Sequence, residues 1–170
     1  MERMEMDMMM IRVNACMSSG RYGEARELLE RVIEAEPAHG VAHGMLGWIC
    51  WALLDEHERA AVHFRCAVRW APGYTNAWMH FLNLLASDGR AEELHEVYHR
   101  ALIIPGIDRA AVHAIVARYL ERTGRSDEAL RLYRNARRVA VDPSAEAEYR
   151  ASILRVRGRV RRERWTAWMF

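Results

Sequence analysis

The chain has 170 residues, 51% of them apolar, enough for one ordinary domain with a sizeable core or for a short array of repeats. No apolar run reaches the length needed to span a bilayer, and Glu2, Glu5 and Asp7 stand where a secretory leader would be basic, so the expected location is cytoplasmic. The net charge of +2 hides an asymmetry: residues 1–100 carry 10 Arg against 15 acids, and residues 101–170 carry 15 Arg against 8, which predicts a basic C-terminal region.

Four prolines, ten glycines and no alternating β-branched runs favour helices throughout. Cys16, Cys50 and Cys66 have no CxxC spacing, as expected of reduced thiols packed as small hydrophobes. All 25 basic residues are Arg, which fits a GC-rich coding sequence. The first segment, MERMEMDMMM, is read as the start of a helix that uses Met as filler, not as a copper-binding cluster.

Further along, one pattern recurs four times: Ala25, Leu29 and Val32; Ala60, Phe64 and Ala67; Leu94, Tyr98 and Ala101; Ala129, Tyr133 and Ala136. The steps between units are 35, 34 and 35 residues, and within each unit the spacing of four then three places the three side chains on one helix face. Gly20, Gly89 and Gly124 precede three of these helices, with Asp55 to His57 filling the turn in the second unit. Pro37, Pro72, Pro105 and Pro143 close the units. Each unit therefore reads as helix, turn, helix, stop. After Pro143 the pattern changes, and Tyr149, Ile153, Val156 and Val160 make one narrow apolar stripe suited to a capping helix.

These residues resemble the tetratricopeptide repeat, whose signature is W-x2-L-G-x2-Y, then A-x3-F, then P. Trp78 with Phe81 and Leu85, Leu46-Gly47 with Phe64 and Pro72, and Gly20-Arg21-Tyr22 before Ala25 carry the match. The resemblance implies an all-α, right-handed solenoid of helical hairpins. Its array would occupy residues 1–143, in units of about 6–38, 39–73, 74–106 and 107–142, with a capping helix and basic, aromatic tail over 144–170.

It also implies that the first helix of each pair lines a groove. Carried over residue by residue, that groove takes Asn14 and Met17, then Met45, Trp48 and Trp51, then Met79, His80 and Asn83, and finally Ile115, Arg118, Glu121 and Arg122. Of the Lys, Asn and Arg clamp by which some members hold a C-terminal carboxylate, only Asn14 is matched. Met and Trp instead suit an apolar peptide or amphipathic helix. The expected function is a non-enzymatic interaction module without cofactor or metal: an adaptor, assembly factor or chaperone-like subunit.

Two features point elsewhere. His95-Glu96-x-x-His99 has the spacing of helical zinc hydrolases. Tyr98 within it belongs to the repeat core, which on an ideal helix leaves the histidines roughly 70° and 110° from the core centre and Glu96 facing water. His113 is the nearby candidate for a third ligand. His39 and His43, also four apart, read as solvated residues at a loop-to-helix junction. The tail crowds Arg beside Trp165, Trp168, Met169 and Phe170, a composition compatible with docking into a groove of this chain or of a second copy, with an anionic membrane surface, or with nucleic acid.

Overall fold

The computed structural model describes residues 3–169, with the side chains of residues 3, 163, 164 and 166–169 outside the description. The described residues form helices α1 (Arg3–Ser18), α2 (Tyr22–Ala35), α3 (Gly40–Ala52), α4 (His57–Trp70), α5 (Thr75–Asp88), α6 (Ala91–Ala101), α7 (Arg109–Arg122), α8 (Ser126–Val139) and α9 (Pro143–Met169), and no strand among them. They divide into two compact units, Met1–Leu84 and Leu85–Phe170.

In the first unit α1 packs on α2, α2 on α3, and α3 on α4. The repeat positions Ala25, Leu29, Val32, Ala60, Phe64 and Ala67 are all fully buried, because neither helix of a hairpin can hide its apolar face alone. Burying Phe64 contributes about 2–3 kcal/mol. Trp78 is 1% exposed, and its indole Nε1–H donates to the Pro72 carbonyl at 2.8 Å, so the large ring enters the core without an orphaned donor.

Close packing explains Gly40. A Cβ there would lie 2.5 Å from the backbone nitrogen of Ala71, so only glycine lets the start of α3 pass beneath the end of α4. The turn between α3 and α4 lacks glycine, and Asp55 takes the left-handed conformation itself with φ 56°, a position Asp tolerates better than most residues.

In the second unit α7 packs on α8 and α8 on α9, with α6 against α7. Asp108 caps α7 through Oδ1, accepting from Ala111 N–H at 3.0 Å. Asp142 accepts from the N–H groups of Ser144 and Ala145, and Pro143 follows it as the first residue of α9, so cap and proline together fix where that helix starts. Tyr149, Ile153 and Val156 are buried, and Tyr149 packs with Ala110, Ala114 and Ala136. Val160, the fourth residue of the expected stripe, is half-buried.

Candidate functional site

The first unit presents an aromatic face built from α2, α3 and α5. Trp48 and Trp51 lie three residues apart on α3, hence on one side of the helix, and both are half-buried. The Trp48 ring lies 5.6 Å from that of Tyr22 on α2, and the Trp51 ring 6.1 Å from that of His80 on α5. His80 in turn stacks on the buried Phe64 at 6.3 Å, and burial lowers its pKa, keeping it a neutral aromatic. In the sequence Tyr22 stands out only as a repeat-signature residue. Its aromatic ring directly after a turn was the available signal for its place beside Trp48.

Met17, Met45 and Met79 are half-buried and Asn14 is exposed. Asn83 spends its Nδ2 donor on the Met79 carbonyl at 2.8 Å, one turn back on its own helix. Among these residues the ring contacts join Trp51 to His80, and Trp48 to Tyr22.

The first unit also corrects the reading of His43. It is 6% exposed, not solvated. Its Nε2 lies 3.0 Å from the Pro37 carbonyl, which can only accept, so Nε2 carries the proton and Nδ1 accepts from His63 Nδ1–H at 2.9 Å. Burial, then His43 and Arg59, lowers the pKa of His63 to about 4. His39 does act at the junction, as the cap of α3, with Nδ1 accepting from Ala42 N–H at 3.1 Å.

In the second unit Ile115 is 3% exposed and belongs to the core rather than to a groove. The reason is that α7 is covered by α6 and α8 and by the C-terminal helix near Ala114, leaving Ala114 to Ala117 all buried. Arg118 and Arg122 are exposed, and Arg122 donates to the Ala86 carbonyl.

Glu121 is likewise not a groove residue. It is 9% exposed and holds α9 in place. Arg155 donates Nε–H and Nη2–H to its two carboxylate oxygens at 3.0 Å each, Tyr133 donates its hydroxyl at 3.0 Å, and Arg159 donates to its backbone carbonyl at 3.0 Å. Chiefly because of the Arg155 bonds, the Glu121 carboxyl is held below the usual carboxylate range, while burial and Glu121 push Tyr133 up to about 12. Two arginines of the basic C-terminal region are thus partners of Glu121, Arg159 also lying 3.6 Å from its carboxylate. Trp165 is 66% exposed; the side chains of Trp168 and Met169, and the whole of Phe170, lie outside the described residues.

A cleft of about 320 Å³ opens among α6, α7 and α8, with Leu94, Tyr98, Val116 and Tyr119 on its walls and Glu128 and Arg131 at its edge. His95 borders it, and its Nε2 lies 3.2 Å from that of His99. Glu96 is exposed and pairs with Arg100 at 3.4 Å. His113 does not join them. Its Nδ1 shares a 2.9 Å hydrogen bond with the Tyr98 hydroxyl, and among the described residues no three His, Cys, Asp or Glu side chains are grouped to hold a metal ion. Among them, too, no helix is long and apolar enough to cross a membrane.

The tetratricopeptide repeat family model matches residues 12–75. No curated protein matches the sequence. Among solved structures, MamA 41-end from Desulfovibrio magneticus RS-1 is similar over 95% of this chain and 89% of its own, with a TM-score of 0.75 and 15% identity. Pseudomonas aeruginosa PilF is similar over 85% and 67%, with a TM-score of 0.69 and 17% identity. YrrB, described as a TPR protein with an unusual peptide-binding site, is similar over 82% and 71%, with a TM-score of 0.68 and 19% identity. At these identities the likeness concerns the fold, an all-α helical-repeat solenoid. The tetratricopeptide repeat is thus matched in sequence over residues 12–75, and the helical-repeat solenoid fold of such proteins is shared over nearly the whole chain.

Proposed function

We propose that the chain is a non-enzymatic, cytoplasmic interaction module that holds an apolar peptide or the apolar face of an amphipathic helix against its first unit, as an adaptor, assembly factor or chaperone-like subunit would. The observation that carries this reading is the pair Trp48 and Trp51, half-buried on one side of α3, each bordered by a ring from another helix. Rings steadied in this way lose little freedom when a partner covers them, and part of their surface is still available to be covered. Met17, Met45 and Met79 add side chains that adapt to differing apolar shapes. The peptide-binding site described for YrrB, on the same fold, supports a peptide as the class of ligand.

The test is selection from a peptide library on the full chain, followed by measured affinities of the enriched peptides. Apolar helical or extended sequences should be enriched, and Trp48→Ala or Trp51→Ala should weaken them by about 2 kcal/mol, roughly thirtyfold, while the helical circular dichroism spectrum is retained. Loss of helicity in these variants, or enrichment of acidic C-termini that ignore both tryptophans, would overturn the reading.

A further inference from the structure

The first and last helices each bury one face and expose the opposite one. On α1 the buried side is Met9, Val13 and Cys16, and the outer side carries Met4 at 73%, Met8 at 56% and Ile11 at 61% exposure, followed by exposed Ala15. On α9 the buried side is Tyr149, Ile153 and Val156. The outer side carries Ala147, Ala151, Leu154 at 62% exposure and half-buried Gly158, and continues to Trp165. Both outer rows have the same spacing of four, three and four, so both are straight apolar stripes along a helix. One is made mainly of long side chains and the other mainly of small ones, which lets the first seat into the second.

The charges beside the stripes decide what fits. On α1, Glu5 and Arg12 flank one side and Asp7 the other, all exposed. On α9, exposed Glu148 and Arg155 lie on the corresponding side and exposed Arg150 and Arg157 on the other. Two helices facing each other in antiparallel fashion bring corresponding sides together. With Met4 over Gly158 and Ala15 over Ala147, Arg12 then comes alongside Glu148, and Asp7 alongside Arg157. The parallel arrangement crosses the sides and sets Arg12 against Arg157 and Asp7 against Glu148, two repulsions in place of two attractions, while Glu5 meets an arginine either way, Arg155 when antiparallel and Arg150 when parallel.

We propose that the outer face of α1 on one copy of the chain packs antiparallel on the outer face of α9 on a second copy, so that copies associate head to tail. The contact uses two different surfaces, so it is heterologous and leaves an unused α1 at one end and an unused α9 at the other. Such contacts extend to open chains of copies unless the rotation closes a ring. The face required is distinct from the Trp48 and Trp51 face proposed to hold a peptide.

The experiment is sedimentation velocity of the full chain over a wide concentration range, with Asp7→Arg, Arg157→Asp and the two combined. The wild-type mass should rise with concentration past that of a dimer or settle at a closed ring. Each single reversal should weaken association by about tenfold or more, and the combined reversal should restore most of it. Leu154→Asp, at an exposed position where folding is verified by a thermal melt, should also abolish association, whereas Trp48→Ala should leave it intact, separating this contact from the peptide face. A wild-type chain that stays monomeric at all concentrations, a combined reversal no better than the singles, or association indifferent to Leu154→Asp would overturn the proposal.

Discussion

In the first unit the polar link between helices is an imidazole pair: buried His43 and half-buried His63 share one hydrogen bond, and the Pro37 carbonyl accepts the remaining proton of His43. In the second the helices are tied by a charged group: the Glu121 carboxylate receives Arg155 and Tyr133. The neutral pair ties α3 to α4 inside one hairpin, whereas the charged cluster joins α7 and α8 to a helix outside the repeats. The difference follows from what each must do. A hairpin already closed by Phe64 and its neighbours needs only to satisfy two ring nitrogens. The capping helix, with a narrow apolar stripe amid charge, needs an ionic latch to fix its register.

Breaking the latch is expected to have the largest effect. Glu121→Ala leaves the Tyr133 hydroxyl and the Arg155 guanidinium without their acceptor, and should cost about 2–3 kcal/mol, less than a wholly buried pair because Arg155 remains partly in water. Urea denaturation reads the loss, and hydrogen exchange should show it concentrated in α9. Next comes the aromatic face, where Trp51→Ala should cost about 1–2 kcal/mol of stability, since only part of that ring is buried, against a larger loss of peptide affinity. A stability loss as great as that of Glu121→Ala would reassign Trp51 to the core.

Acid sharpens the comparison, because the two units should respond in different windows. The folded pKa of His63, about 4, lies below its ordinary 6.5, so the fold disfavours its protonation. The contribution is fully present above pH 6.5 and is lost as pH falls from there through about 4. Glu121 has its folded pKa below 4.5, so its contribution persists down to that pH and is lost as pH falls through the lower folded value. Tryptophan fluorescence, to which four of the six tryptophans (Trp48, Trp51, Trp70 and Trp78) contribute from the first unit, should report the first decline, and His63→Phe should flatten it. Hydrogen exchange of α9 should report the second. Coincident transitions would contradict the assignment.

The smallest effect is expected at Glu96. Its ion pair with Arg100 is exposed, so Glu96→Gln should change stability by no more than about 0.5 kcal/mol, and purified protein should hold no stoichiometric zinc. One tightly bound equivalent of zinc, with a hydrolase activity lost in Glu96→Gln, would favour the hydrolase reading.

The repeat was legible because its physics is local. A small residue, a large one and a small one at spacings of four and three are a helix face whatever surrounds them, and the 34- and 35-residue beat says that several such faces must stack. Glu96 was placed in water on the same ground, from the rotation of a helix whose core side Tyr98 defined. What misled was the assumption that each unit presents the same positions outward. Ile115 and Glu121 occupy places that would face a groove in a regular array, but the helices around α7 cover them. Trp48 and Trp51 were equally consistent with groove and with core, and both are partly buried.

By itself the sequence determined the fold class, the repeat period and the change of character after Pro143, since these depend on spacing along one chain. Only the tertiary structure decided the pairings: His43 with His63 across 20 residues, Trp51 with His80, and Glu121 with Arg155 across 34. A charged or aromatic residue carries no mark of its partner, because the partner is chosen by which helices stack and at what rotation. That rotation is set by the whole packed core and not by the residues that meet.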